Sequence, residues 1–123
     1  MTLEELYRSI GGNYDSAKKI LQSDRLIGKF IVRFLEDTSA QRLQEAYEKG
    51  DKTGIFEGAH ALKGVCANLG LDQLSRSASE IAEEFRPGNR QTLSQGELNS
   101  RMDAIARQYQ TTVDGIRAFA EEN

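Results

Sequence analysis

The sequence predicts an all-α fold: an antiparallel up-down-up-down four-helix bundle with a short helical N-terminal extension. Three observations predict it. Apolar residues recur at three- and four-residue spacing through most of the chain, and no window alternates with the two-residue period of a half-buried strand. The single proline leaves the glycines as punctuation, at Gly11-Gly12, Gly50, Gly54, Gly58, Gly64, Gly70 and Gly88. The connections between periodic stretches are short, which makes neighbouring helices antiparallel.

Taken in order, Thr2 with Glu5 three residues on is the reciprocal capping arrangement that starts a short helix. Gly11-Gly12-Asn13 stops it. Asp15 is placed to cap a second short helix carrying Ile20 and Leu21, with Lys19 spaced for an ion pair to Asp15. The first long segment begins near Asp24 and carries Ile27, Phe30, Ile31, Phe34 and Leu35 on one stripe. Thr38 or Ser39 interrupts or bends it before Leu43, Ala46 and Tyr47 continue the pattern to Gly50, with Glu45 and Lys49 as an i,i+4 pair. Asp51 is a good N-cap for the next helix, whose Ile55, Ala59, Leu62, Cys66 and Leu69 face the core before Gly70 closes it. Leu74, Ala78, Ile81 and Phe85 mark a further amphipathic helix ended by Pro87-Gly88. A loop leads to a last long helix from about Ser94, with Leu98, Met102, Ile105, Tyr109, Val113, Ile116 and Phe119 or Ala120. Residues 1–123 make one domain, with short helices over 1–23 and the bundle over 24–123.

The formal charge of −3, from 16 basic and 19 acidic residues, argues against a nucleic-acid partner, which calls for a basic stripe. No apolar stretch is long enough to span a membrane, and the start lacks the pattern of a signal peptide. The lone Cys66 cannot form an internal disulfide, so a cytoplasmic protein is expected, as a monomer. Met1 and the short tail favour a free-standing protein.

Chemistry concentrates in "EGAHALKGVCANLG", residues 57–70, which holds the only histidine of the chain. On a helix, His60 lies roughly 100° to one side of Ala59, at the edge of the buried stripe. Lys63, Gly64 and Ala67 lie one and two turns beyond it on the same face. Gly64 weakens the helix by about 1 kcal/mol relative to alanine, and room for another body to approach the ring is the compensation expected. An imidazole presents a nucleophilic lone pair near neutral pH, a neighbouring lysine favours an anion, and small residues admit a partner's active site. Those pieces fit phosphoryl transfer between two proteins.

"HALKGVCANLG" resembles the signature of the histidine-containing phosphotransfer (HPt) domain, roughly H-x-x-K-G-x-x-x-x-L-G, with His60, Lys63, Gly64, Leu69 and Gly70 matching. "FLEDTSAQRLQEAYEKGD", residues 34–51, is similar to the family's lead-in helix and its glycine-aspartate turn. The likeness covers about residues 24–85, the last helix and the N-terminal piece matching only as generic bundle elements. The resemblance implies a phosphocarrier of a two-component phosphorelay rather than an enzyme. His60 is then the phospho-accepting residue, through Nε2, Lys63 holds the phosphoryl oxygens, and Gly64 leaves space for the partner. The implied partners are a response-regulator receiver domain and a hybrid sensor histidine kinase. The receiver brings the aspartate, the Mg²⁺ and its own lysine, so this chain needs no cofactor or metal of its own. One departure concerns the position 22 residues after the histidine, where many family members hydrogen-bond the ring with a polar side chain and this chain has Ala82. Ser79 or Glu83, on nearby spokes, are the candidate substitutes. Phe56, Ala67 and Asn68 are candidates for partner docking.

Plainer roles suit other residues. Cys66 reads as an inert core thiol, Gly70 as a helix stop, and the runs "AEEF" and "AEEN" as solvated faces. Glu57 and His60 form an E-x-x-H pair, but a two-iron site needs a second one and the chain has no second histidine. Two rival functions fit the same bundle: a non-transferring module that docks or sequesters a response regulator, and a phosphatase that drains a receiver.

Overall fold

Reciprocal caps open the chain. The Thr2 hydroxyl accepts from the Glu5 N–H at 3.1 Å and the Glu5 carboxylate from the Thr2 N–H at 2.7 Å, so α1 runs Leu3–Ser9. The computed structural model describes residues 1–122, which form seven α-helices and one 3₁₀ turn with no strand among the described residues. After α1 come α2 (Tyr14–Leu21), α3 (Asp24–Arg33), the 3₁₀ turn (Phe34–Glu36), α4 (Ser39–Lys49), α5 (Lys52–Asn68), α6 (Asp72–Glu84) and α7 (Gln95–Glu122).

The helical class holds, but the count of helices differs from the sequence-based expectation. The long segment over 24–50, expected to be interrupted or bent at Thr38 or Ser39, is interrupted: it forms two helices, α3 and α4, separated by the 3₁₀ turn. The reason is local. Asp37 adopts extended backbone and its carboxylate accepts from the Ser39 N–H at 2.9 Å, which starts a new helix instead of continuing the old one. The cap of α2 is also corrected. Asn13, not Asp15, accepts from the Ser16 N–H at 3.0 Å, and Asp15 falls in the first turn. No ion pair joins Asp15 to Lys19. Lys18 pairs with Asp24 at 3.0 Å instead, tying α2 to α3.

The apolar stripes meet in a single core. Ile27, Ile31, Phe34, Leu43, Leu62, Ile81 and Ile116 are fully covered, while Phe30, Phe85 and Tyr109 are half-buried at its margin. Asp51 caps α5 by accepting from the Gly54 N–H at 3.1 Å, and Ser94 with Glu97 makes a second capping box at the start of α7. Glu84 corrects the reading of "AEEF" as a solvated face. It is buried, and its carboxylate accepts from the Thr92 and Leu93 N–H groups at 2.8 Å each, stapling the loop before α7. These hydrogen bonds, Leu93 first, hold its carboxyl below the usual range.

The N-terminal helices dock on the far end of α5. The buried Tyr7 hydroxyl donates to the Leu69 carbonyl at 2.6 Å, and the Asn13 N–H donates to the Gly70 carbonyl at 2.7 Å. Gly70 therefore does more than stop the helix. Its φ of +69° suits glycine, and a side chain there would run into the Asn13 carbonyl. No helix is long and apolar enough to cross a membrane among the described residues.

Candidate functional site

Helix α5 sorts its residues by side. Ile55, Gly58, Ala59, Leu62 and Cys66 are buried, whereas His60, Lys63, Gly64, Ala67 and Asn68 are exposed. The split follows from the 3.6-residue repeat, because the exposed group lies on the opposite flank from the stripe that meets α4 and α6. His60 thus stands in water rather than among aliphatic neighbours. Neither of its ring nitrogens is hydrogen-bonded among the described residues.

Among the described residues its one ring contact is with Phe56, the residue one turn earlier. The two rings stack with centroids 5.6 Å apart and planes inclined by 19°. Phe56 is half-buried and packs against the core, so it is an anchored platform and not a loose surface ring. Lys63 is exposed and makes no ion pair among the described residues, leaving its ammonium group on the imidazole side of the helix. A Cβ added to Gly64 would meet nothing within 4 Å, so internal packing does not require glycine there.

The neighbouring helix braces this segment. The Ser75 hydroxyl donates to the Lys63 carbonyl at 3.0 Å, and the Leu71 N–H donates to the Cys66 carbonyl at 2.9 Å. These bonds fix an antiparallel register in which Ala78 and Ser79 lie level with His60 and Ala82 lies level with Phe56. Ser79 is half-buried and makes no hydrogen bond to the ring. Glu83 pairs with Arg86 at 2.9 Å and makes none either. Ala82 is buried.

Asn68 borders an open apolar groove walled by Leu21, Phe30, Val65 and Leu69, and Ala67 lies outside it. Cys66, on the other side of the same helix, is fully covered, and burial pushes its thiol up to about 12. No group of three or more His, Cys, Asp or Glu side chains able to hold a metal ion occurs among the described residues. Two parts of this arrangement escaped sequence reasoning. The Phe56–His60 stack had a signal in its i,i+4 spacing, whereas the Ser75 brace had none, since it depends on the register between two helices.

Chemically, the site offers ring nitrogens free of hydrogen bonds among the described residues, an exposed cation on the same face and open space at Gly64. Neither the curated proteins nor the solved structures gave a match to this chain. The family model of the Hpt domain matches residues 27–118, reaching into α7 and so further along the chain than the 24–85 over which the sequence resembles the family. With three quarters of its length under that match, and with an exposed histidine where the motif stands, this chain belongs to the Hpt domain family.

Proposed function

We propose that this protein accepts a phosphoryl group on His60 from a receiver-domain aspartate and passes it to a second receiver. Hpt domains are phosphocarriers of phosphorelays rather than enzymes, and receiver domains are their partners. The observation that carries the assignment to His60 is its position: it is the only histidine of the chain, exposed, with both ring nitrogens free of hydrogen bonds among the described residues.

The step balances without a catalytic group beyond the ring. The Nε2 lone pair attacks phosphorus in line, the phosphorus–oxygen bond to the aspartate carboxyl breaks, and the carboxylate leaves with the electron pair. The charge gained by the imidazole is relieved by loss of the Nδ1 proton to water. Lys63 holds the phosphoryl oxygens in the product, and the bare backbone at Gly64 lets the receiver's surface close over the ring. The Mg²⁺ of the reaction belongs to the receiver. This chain acts as a positioned substrate, in a cytoplasmic relay and as a monomer.

The test is to incubate the protein with a phosphorylated receiver and Mg²⁺ and follow acid-labile, base-stable phosphate. Wild type takes the label and His60→Gln takes none, with both variants equally stable because the side chain is exposed. Tight receiver binding without label would decide for a sequestering module, and faster loss of receiver phosphate without a phosphoprotein for a phosphatase. Lys63→Ala should slow transfer about tenfold while leaving the fold intact, a modest factor because an exposed charge is screened. Unchanged kinetics would remove Lys63 from the site.

A further inference from the structure

We infer that Phe56 is a positioning residue for His60, holding the imidazole by its face so that the reacting edge is presented in one orientation. The inference rests on the reading of His60 as the phosphoryl acceptor.

A ring can be oriented through its nitrogens or through its face. The first route is not used here, because no hydrogen bond reaches the imidazole from any described residue, and Ser79 and Glu83 do not supply one. The second route is built. Phe56 stacks on His60 at 5.6 Å and 19°, and the phenyl ring is itself fixed by packing against the core. A hydrogen bond would orient the ring by occupying one of its nitrogens. Stacking orients it through the π-face and leaves both edge nitrogens open to phosphorus.

The opposite wall of the helix pair is consistent with this division of labour. Ala82, level with Phe56 in the antiparallel register, is buried and carries only a methyl group. No described residue of α6 hydrogen-bonds the imidazole, and the ring contact that holds it comes from α5. Phe56 and His60 share one helix, so their relative placement survives any small slide of α6 against α5.

The experiment compares wild type with Phe56→Leu, which keeps apolar bulk but removes the π-face, and with Phe56→Tyr, which keeps the ring. Proton NMR of the single histidine reports the stack directly. In wild type and Phe56→Tyr the imidazole carbon-bound protons are shifted by the neighbouring ring current, and in Phe56→Leu they move toward free-histidine positions. Phosphorylation is then followed with a saturating series of phosphorylated receiver, and separately with phosphoramidate. In the latter the phosphorus–nitrogen bond of the donor breaks, ammonia leaves and the bond to His60 forms without a protein partner. Phe56→Leu should lower the limiting rate about three- to tenfold with both donors at an unchanged half-saturating receiver concentration, and Phe56→Tyr should restore it. Imidazole signals that do not move in Phe56→Leu would overturn the proposal. So would a raised half-saturation at an unchanged limiting rate, which would make Phe56 a docking contact. A wild type that takes label from phosphoramidate but not from a receiver defeats the relay reading, and the NMR and phosphoramidate series still decide the role of Phe56.

Discussion

Two glycines of α5, six residues apart, show why the two sides of that helix have different work. A Cβ on Gly58 would sit 2.8 Å from the Leu43 Cα and 2.9 Å from its amide nitrogen, so α4 and α5 touch backbone to backbone there. A Cβ on Gly64 would meet nothing within 4 Å. Both positions sacrifice helix propensity, yet only the first returns it as packing within this chain. The second leaves an unclaimed space beside an exposed imidazole. One flank of α5 is therefore closed against its neighbours in the fold, and the other is left open.

The largest test of that contrast compares the two nucleophiles that α5 carries on its opposite sides. Cys66 is fully covered and its thiol is pushed up by burial, whereas His60 is exposed. In native protein at neutral pH, a thiol reagent should modify Cys66 at least about a thousandfold more slowly than in denatured chain, because reaction waits on opening of the core. An acylating reagent for imidazole should modify His60 about as fast in native protein as in denatured chain, within the factor of about ten assigned to its stack on Phe56. Mass spectrometry of a time course reads both at once. Rapid labelling of Cys66 would mean that the helices do not close over that flank.

Next in size is Gly58→Ala. Backbone atoms of Leu43 cannot swing aside as a side-chain tip can, so α4 must shift, and the fold should lose about 1–3 kcal/mol. Chemical denaturation measures the loss. Phosphoryl acceptance per folded molecule should be unchanged, since His60 and its neighbours lie on the other flank. A stable Gly58→Ala protein would show that the two helices are not in backbone contact.

How much of this was legible in the sequence follows from how far apart the interacting residues lie. His60, Lys63 and Gly64 share one short helical stretch, so a helical repeat alone places them on a common face. The same repeat puts Gly58 beside Ala59 and Leu62 on the buried stripe. What lies over Gly58 depends on α4, and no pattern within α5 reveals it. For the Asp37–Ser39 turn that divides α3 from α4, the sequence pattern shows only a point of interruption or bending, because the contest between a side-chain acceptor and helix continuation is settled by a single hydrogen bond. Glu84 read as a surface charge because its partners, Thr92 and Leu93, lie in a loop without periodicity. The Ser75 brace and the docking of Tyr7 on Leu69 span helices whose register the sequence does not encode locally.

The smallest effect on stability, and the sharpest separation of the two flanks, is expected from Gly64→Ala. With open space around the new methyl group and helical backbone on either side, alanine should stabilise the protein by about 0.5–1 kcal/mol, through a less disordered unfolded chain and better helix propensity. The sign is thus opposite to that of Gly58→Ala for the same chemical change in the same helix. If the space beside His60 is used by a receiver, the gain in stability should come with slower transfer from a phosphorylated receiver. Labelling by phosphoramidate, which is small enough to pass a methyl group, should stay near the wild-type rate. Thermal denaturation and the two labelling rates, measured on one preparation, separate the alternatives. A stabilised variant that is slow with the receiver alone ties the bare strip to partner access. One equally fast with both donors would leave Gly64 without a role in docking, and the contrast between the two glycines would then be one of packing only.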